Sequence, residues 1–248
     1  VGELASGLVG AGRMAEPATI VKFIESHILE GLPLYQKKIL ITAGPTYEAI
    51  DPVRFIGNHS SGKMGFEIAK AASNLGAEVR LITGPTHQKI SSNLITVIPV
   101  VSAQEMYEQV HQFYENCDIA ILSAAVADYK IKFISNQKIK KEEHSLTLEL
   151  EKTQDILASL GKLKNNQLLV GFALETDNEI TNAIKKLKNK NLDLIVLNSL
   201  SDKGAGFGTN TNKVTLIKRD LSTTNFPLKS KVEVSKDILN EILKLIDA

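Results

Sequence analysis

The chain has 248 residues, and its 29 basic and 28 acidic side chains leave a formal net charge of +1. This balance excludes a global attraction to nucleic acid or anionic membranes, so charge-driven binding must come from local clusters. The one cysteine, Cys117, excludes internal disulfides and cysteine-based zinc sites, and we interpret it as structural. No apolar run is long enough to span a membrane and the N-terminus lacks a signal-peptide pattern, so a cytoplasmic protein is expected.

Short apolar strands alternate with helices from residue 38 onward. KILITA (38–43) is typical of a buried strand, residues 62–75 have apolar side chains at helical spacing, and EVRLITG (78–84) indicates the next strand. A strand–helix–strand unit of this kind predicts parallel pairing. Further strands are predicted at 94–100, 118–126, 146–152, 168–175, 193–198 and 213–218, and further helices at 102–114, 179–190 and 238–246. The sequence therefore predicts an α/β fold around an open parallel sheet.

The segment 1–36 does not follow this alternation. A glycine-rich start leads into a predicted helix at about 17–30, and GLP (31–33) breaks it. We therefore divide the chain into a tail with a linker, residues 1–36, and one domain, residues 37–248.

The connection between the first strand and its helix, residues 44–61, is much longer than the usual loop of about 2–6 residues. It lacks the G-x-G-x-x-G motif, which disfavours dinucleotide binding in the standard manner. GNHSSGKMG (57–65) matches the G-x-x-x-x-G-K part of a P-loop, but Met64 stands where a hydroxyl should reach Mg²⁺. The start of the following helix offers N–H donors to an anion, and a solvated loop with a serine cap is the alternative.

Three more segments carry side chains suited to ligands. In SAAVADYK (123–130), small residues at a strand end let a flat ligand approach, and Asp128 offers a carboxylate to a metal, a ribose or a base. NQKIKKEE (136–143) is rich in lysine and could close over a polyphosphate. Lys186 and Lys190 share one helix face. Taken singly, the first segment is a weak signal that a packed turn would also give, and a solvated surface is the favoured interpretation of the two lysine segments.

Several motifs occur together in an order and spacing known from one family: ITAGPTYEAIDPVRFIGNHSSGKMG, SAAVADYK, QKIKK and GFALET. From about Lys37 to its C-terminus the chain resembles the synthetase half of the bacterial bifunctional phosphopantothenoylcysteine decarboxylase/phosphopantothenate–cysteine ligase of coenzyme A biosynthesis. The resemblance implies a homodimer with a modified Rossmann-like fold, an open, mainly parallel sheet with helices on both faces. It also implies that the P-loop match is coincidental.

The resemblance implies a ligase that uses CTP and Mg²⁺. The carboxylate of 4′-phosphopantothenate is activated as an acyl-cytidylate with release of pyrophosphate. The amine of L-cysteine then displaces CMP, which gives 4′-phospho-N-pantothenoylcysteine.

Roles for individual residues are carried over by their positions in these motifs. Asn58 falls on the asparagine of the acyl-cytidylate step, and Lys138 falls on the active-site lysine of a flexible lid, so both are expected to be catalytic. Arg54 and Asn58 are candidates for binding the phosphorylated substrate, and Asp128 is a candidate metal ligand. A CTP site is implied at Ser123, Ala124, Ala125, Asp128, Gln154, Asp155, Ile156, Leu157, Phe172, Lys186 and Lys190.

Two positions depart from the family pattern. Gln154 replaces the proline of a T-P-D-I turn, and we expect a modest effect because a backbone contact to the base survives this change. The tail GELASGLVGAGRMAEP resembles the end of the flavin-dependent decarboxylase half, but Ser6 stands where an essential cysteine is usual. No decarboxylase activity is therefore expected from this chain.

Two other functions were weighed against the ligase. A nucleotide-binding regulatory subunit whose catalysis has lapsed would share the fold, but the retained Asn58 and Lys138 argue against it. A single-strand nucleic-acid binder would need aromatic residues beside the lysines of 130–141, where only Tyr129 and Phe133 are near. The expected partners are therefore phosphopantothenate, cysteine and a second copy of the chain, without nucleic acid or membrane.

Overall fold

The computed structural model describes residues 2–3, 6–10, 14–141, 146–199 and 208–246. Eight strands form the main sheet: β1 (Lys38–Ala43), β2 (Glu78–Thr83), β3 (Ile95–Pro99), β4 (Ile119–Leu122), β5 (Leu168–Glu175), β6 (Leu194–Ser199), β7 (Val214–Lys218) and β8 (Thr223–Asn225). Their spatial order is β3-β2-β1-β4-β5-β6-β7-β8, with parallel pairing from β3 to β6 and antiparallel pairing of β7 and β8. The first six strands have the doubly wound Rossmann order, which confirms the predicted fold class.

Helices cover both faces of this sheet. They are α1 (Pro17–Glu30), α2 (Lys63–Asn74), α3 (Ala103–Tyr114), α4 (Ile156–Leu163), α5 (Glu179–Asn189) and α6 (Lys231–Ile246). Along β1, Ile39 and Ile41 pack in a core cluster with α2 and α6, whereas Leu40 packs in a second cluster with α3, α4 and α5. This alternation follows from the two-residue period of a strand and produces one hydrophobic layer on each side.

Helix α2 passes very close to the carboxyl ends of β1 and β4. A Cβ atom on Gly65 would lie 2.6 Å from the Ala43 Cβ and 2.7 Å from the Ser123 Oγ. Only glycine fits this approach without a shift of its neighbours, and the first turn of α2 is thereby placed above the point where the strand order reverses.

Among the described residues, four strand pairs lie outside the main sheet. They are Gly2–Glu3 with Val9–Gly10, Tyr47–Ala49 with Phe55–Gly57, Tyr129–Ile131 with Leu150–Lys152, and Thr211–Asn212 with Lys229–Ser230. The strand predicted at 146–152 is therefore shorter than expected, and it pairs away from the main sheet.

Three other boundaries differ from prediction. The strand predicted at 118–126 ends at Leu122, because the chain then leaves the sheet to form a loop bonded to the end of β1. The turn predicted at 154–157 is the start of helix α4, which Asp155 caps. The last helix begins at Lys231 rather than at residue 238.

Helix α1 is present where residues 17–30 predicted it, but none of its residues is buried. The core begins just beyond it, where Leu34 is fully buried and its amide bonds to the carbonyl of Leu75. The boundary at residue 36 stays a prediction. Within the described ranges, no helix combines the length and the apolar character that crossing a membrane requires.

Candidate active site

A cavity of about 880 Å³ opens at the carboxyl ends of β1, β4, β5 and β6. Its wall includes Thr42, Leu122 and Asn198, each at or next to the end of its strand. In doubly wound sheets, ligands bind outside the carboxyl ends where the strand order reverses, which here is between β1 and β4. The fold therefore places this cavity where a ligand is expected.

Most residues predicted for the site meet in this cavity. Its lining includes Asn58, Ser123, Ala124, Ala125, Asp128, Gln154, Asp155, Ile156, Leu157, Phe172, Lys186 and Lys190. Arg54 and Lys138 are absent from the lining among the described residues. The structure thus brings together segments that are far apart in the sequence, and the role of each residue stays a prediction.

The wall at the end of β4 is fixed by hydrogen bonds to β1 and to the long loop. The Ser123 hydroxyl donates to the carbonyl of Thr42 at 2.6 Å, and the Ala124 amide donates to the Thr42 hydroxyl at 3.2 Å. The side-chain amide of Asn58 donates to the carbonyl of Val126 at 2.9 Å. Asn58 is thereby held against the loop that follows β4. It lines the cavity together with the small residues of that loop.

One end of the cavity carries Lys186 and Lys190. The Lys186 Nζ donates to the carbonyl of Phe172 at 2.7 Å. Burial, and then the nearby charge of Lys190, lowers the pKa of Lys186 below its ordinary value. Burial alone would raise the pKa of Asp155, but hydrogen bonds from Lys190 and from the Ala158 amide outweigh it and hold that pKa low. This end therefore combines partly buried cations with one ionised carboxylate.

A second cationic end was missed by the sequence analysis. Lys63 and Lys231, the first residues of α2 and α6, both line the cavity together with Asn198 and Asn212. Lys231 is only 5% exposed, and burial followed by the charge of Lys63 lowers its pKa. The Lys63 Nζ donates to the Asn210 side chain at 2.7 Å. Two lysines and two helix N-termini at one place favour an anion.

The only sequence signal for this second end was the P-loop-like motif that contains Lys63. Lys231 lies in a segment whose helix was predicted to begin seven residues later, so nothing connected it to the site. The side-chain oxygen of Asn198 is buried and has no hydrogen-bond partner in the part of the chain that the structure describes. A donor on a ligand would satisfy it.

Carboxylates are few in the cavity. Within the described residues, no group of three or more His, Cys, Asp or Glu side chains is placed to hold a metal ion. The cavity does contain Asp128, and Asp155 is paired with Lys190. Mg²⁺ commonly binds through one or two carboxylates and the phosphates of a substrate, so this donor set fits a metal that arrives with a nucleotide.

Arg54 and Lys138 are absent from the lining that the described residues form, but they are linked to each other through the Ile139 peptide. The guanidinium of Arg54 forms an ion pair with Asp51 and donates to the carbonyl of Ile139 at 3.0 Å. The amide of Ile139 donates to the Asp51 carboxylate at 3.1 Å. The residue after Lys138 is therefore fastened to the loop that carries Asn58.

The fold and the cavity define a doubly wound α/β protein with a polar, cation-lined ligand site at the carboxyl ends of its strands. The chain belongs to the family of DNA/pantothenate metabolism flavoprotein C-terminal domains, whose sequence model matches residues 34–246.

Comparisons with individual proteins agree with this family. The coenzyme A biosynthesis bifunctional protein CoaBC of Bacillus subtilis (strain 168) is 50% identical over 246 residues, which cover 98% of this chain. The chain spans 61% of the length of that relative. A protein of an unknown prokaryotic organism named cysteine/cysteine sulfinic acid decarboxylase is 54% identical over 99% of this chain and 70% of its own length.

The crystal structure of the C-terminal domain of a coenzyme A biosynthesis bifunctional protein CoaBC is similar to this chain. It superposes with a TM-score of 0.75 at 44% identity, over 88% of this chain and 99% of that domain. These matches confirm the family resemblance that the sequence motifs indicated.

Proposed function

We propose that this chain is a CTP-dependent phosphopantothenate–cysteine ligase. The observation that carries the proposal is the single cavity with lysines at both ends and a wall of small residues between them. The reaction must assemble a polyanionic nucleotide, a phosphorylated carboxylate and an amine, and cations at both ends offset the repulsion of the two anions. The similarity to CoaBC proteins supports the same assignment.

The proposed reaction has two steps. A carboxylate oxygen of 4′-phosphopantothenate attacks the α-phosphorus of CTP, and pyrophosphate leaves with the electron pair of the broken P–O bond. The amine of cysteine then attacks the acyl carbon, CMP leaves, and the nitrogen loses a proton as the amide forms.

The position of each residue in the cavity suggests which part of the substrates it binds. The base and ribose fit the end with Phe172, Asp155 and Lys190, and the phosphates fit the end with Lys63 and Lys231. Asn58, held at the strand end between them, is placed to hydrogen-bond the acyl-cytidylate. Lys138, on the segment that Asp51 and Arg54 bind to the loop of Asn58, would offset charge that develops on the phosphates.

Mg²⁺ bound to the nucleotide phosphates would neutralise part of their charge, and Asp128 is the carboxylate of the cavity that fits it. Arg54 is proposed as a contact for the phosphate of phosphopantothenate, because its side chain stays partly exposed although it is paired with Asp51. Decarboxylation is not part of the proposal, because Ser6 stands where the family has a cysteine.

We further propose a homodimer. Large apolar side chains are exposed in or next to two small strand pairs, Tyr47–Ala49 with Phe55–Gly57 and Tyr129–Ile131 with Leu150–Lys152; among them are Val53, Phe55, Phe133 and Ile134. A second copy that covered them would remove apolar surface from water next to the site. Sedimentation at several protein concentrations tests this, and a monomer at micromolar concentration would contradict it.

The ligase is tested by pyrophosphate release with 4′-phosphopantothenate, Mg²⁺ and either CTP or ATP, with and without cysteine. We expect release with CTP, CMP and the cysteine amide as products, and a large loss in Lys138→Ala. Folded protein that binds CTP but releases no pyrophosphate under any combination would instead support the lapsed regulatory subunit.

A further inference from the structure

The carboxylate of Asp51 is fully buried, and its two oxygens have different partners. The Oδ1 atom accepts hydrogen bonds from the amides of Val53 and Arg54, both at 2.9 Å. These bonds close a local turn in the long loop. The Oδ2 atom accepts from the Arg54 Nε at 3.0 Å and from the Ile139 amide at 3.1 Å. One oxygen therefore shapes the loop and the other fastens a distant segment to it.

The Ile139 peptide is held on both of its polar groups. Its N–H donates to Asp51, and its carbonyl accepts from the Arg54 Nη2 at 3.0 Å. A further backbone bond joins the Ser135 amide to the carbonyl of Ile50 at 3.1 Å. We call Asp51, Arg54 and the Ile139 peptide the clasp. It joins two segments that are more than eighty residues apart, and Lys138 directly precedes its peptide.

The clasp is charged under ordinary conditions. The hydrogen bonds from the Arg54 side chain hold the pKa of the Asp51 carboxyl well below its usual range. An ionised carboxylate buried without such partners would destabilise the folded chain, so the buried Asp51 carboxylate depends on these hydrogen bonds. The Asp51 carboxylate is therefore ionised across the pH range of an activity assay.

We propose that Asp51 is a positioning residue for Lys138, because its Oδ2 atom and Arg54 together hold the next peptide against the loop that carries Asn58. This inference rests on the proposed function, in which Lys138 takes part in the chemistry. Asp51 touches no reacting group itself. A lysine on a segment without this attachment would sample many positions, and misplacement of about 1 Å can cost a hundredfold in rate.

The substitution Asp51→Asn tests separately the two roles of the carboxylate, the local turn and the attachment of the Ile139 peptide. An asparagine keeps one oxygen for the turn made with Val53 and Arg54. It presents N–H donors where Arg54 and the Ile139 amide need an acceptor, so the bonds that Asp51 makes to Ile139 and to the Arg54 side chain are lost. Asp220→Asn is a matched control, because Asp220 accepts from the amide and hydroxyl of Ser222 in a surface turn far along the sequence.

The first experiment combines Asp51→Asn with Lys138→Ala in steady-state assays of pyrophosphate release. We expect Asp51→Asn to lower kcat roughly ten- to a hundredfold with little change in the KM for CTP. In the Lys138→Ala background the same substitution should cause no further loss, because it acts through a lysine that is gone. Losses that multiply, or an unchanged kcat in Asp51→Asn, would overturn the proposal, and Asp220→Asn should match the wild type.

The second experiment needs no activity. Hydrogen exchange of the folded chain should be faster over residues 135–141 in Asp51→Asn, and unchanged there in Asp220→Asn. Exchange over 135–141 equal to that of the wild type would show that Asp51 does not hold the segment. A chain that exchanges as expected but releases no pyrophosphate would refute the ligase and the role of Lys138 while keeping the clasp itself.

Discussion

The Nζ atom of Lys190 lies 2.7 Å from the Oδ2 atom of Asp155, so the residue that follows α5 is paired with the residue that caps α4. The other oxygen of Asp155 accepts from the Ala158 amide at 2.9 Å. One carboxylate thereby joins two helices at the end of the cavity where we place the base and ribose.

Lys190→Met should weaken nucleotide binding without unfolding the chain. The substitution removes a cation from the cavity, while Asp155 keeps its cap on α4. We expect the KM for CTP to rise roughly tenfold, as for the loss of one charged hydrogen bond. Lys188→Met, at an exposed position in the last turn of α5, is the control. Equal KM values for both variants would show that Lys190 does not contact the nucleotide.

Lys231→Met tests the second cationic end. It removes a buried positive charge beside Lys63 but leaves an alkyl chain of similar length to fill the space. We expect pyrophosphate to inhibit this variant less than the wild type, by roughly tenfold in inhibition constant, because the phosphates lose one cation. Lys236→Met, exposed on the same helix, should behave as the wild type. Unchanged inhibition in Lys231→Met would place the phosphates elsewhere.

Gly65→Ala should destabilise the fold. The added methyl would lie 2.6 Å from the Ala43 Cβ and 2.7 Å from the Ser123 Oγ, so α2 must move away from the strand ends. Overpacking of this kind costs about 1–3 kcal/mol, which urea unfolding can measure. Gly31→Ala is the control, since its nearest contact is an ordinary 3.6 Å. Equal midpoints would contradict the tight contact.

Cys117 should react slowly with thiol reagents in the native state. Burial, with the nearby Asp118 carboxylate, raises the pKa of this thiol to about 12. The thiolate is the reactive species, so at pH 8 only about one molecule in ten thousand carries it. Labelling with a disulfide reagent should be far faster in denaturant than in buffer. A native rate like that of an exposed cysteine would contradict the structural interpretation.

The sequence was sufficient for the inner strands of the parallel sheet because their runs are largely apolar, as burial on both faces requires. It was insufficient for residues 146–152, since alternation looks the same in the main sheet and in a separate strand pair. The start of α6 was missed because the segment from Lys231 to Asp237 is mostly charged or polar and has only a short apolar stripe.

The residues of the site likewise differ in whether the sequence could predict them. Asn58 and the residues of 123–128 could be found because they lie in motifs that are local in sequence. Lys231 could not, because Lys63, the charge beside it, lies far earlier in the sequence. The bond between Asp51 and the Ile139 amide was hidden for the same reason, since only the folded backbone brings the two together.

The positions of Lys63 and Lys231 have a thermodynamic consequence. Two like charges meet there only when the first loop and the last helix have both folded, so their repulsion acts on the native state alone. A polyanion that binds between them relieves this repulsion and binds the native state in preference to the unfolded chain. By mass action, ligand at a hundred times its dissociation constant adds about 2.7 kcal/mol to the free energy of unfolding. The melting temperature should therefore rise with the concentration of nucleotide or pyrophosphate, and the last helix would be secured by the ligand it helps to hold.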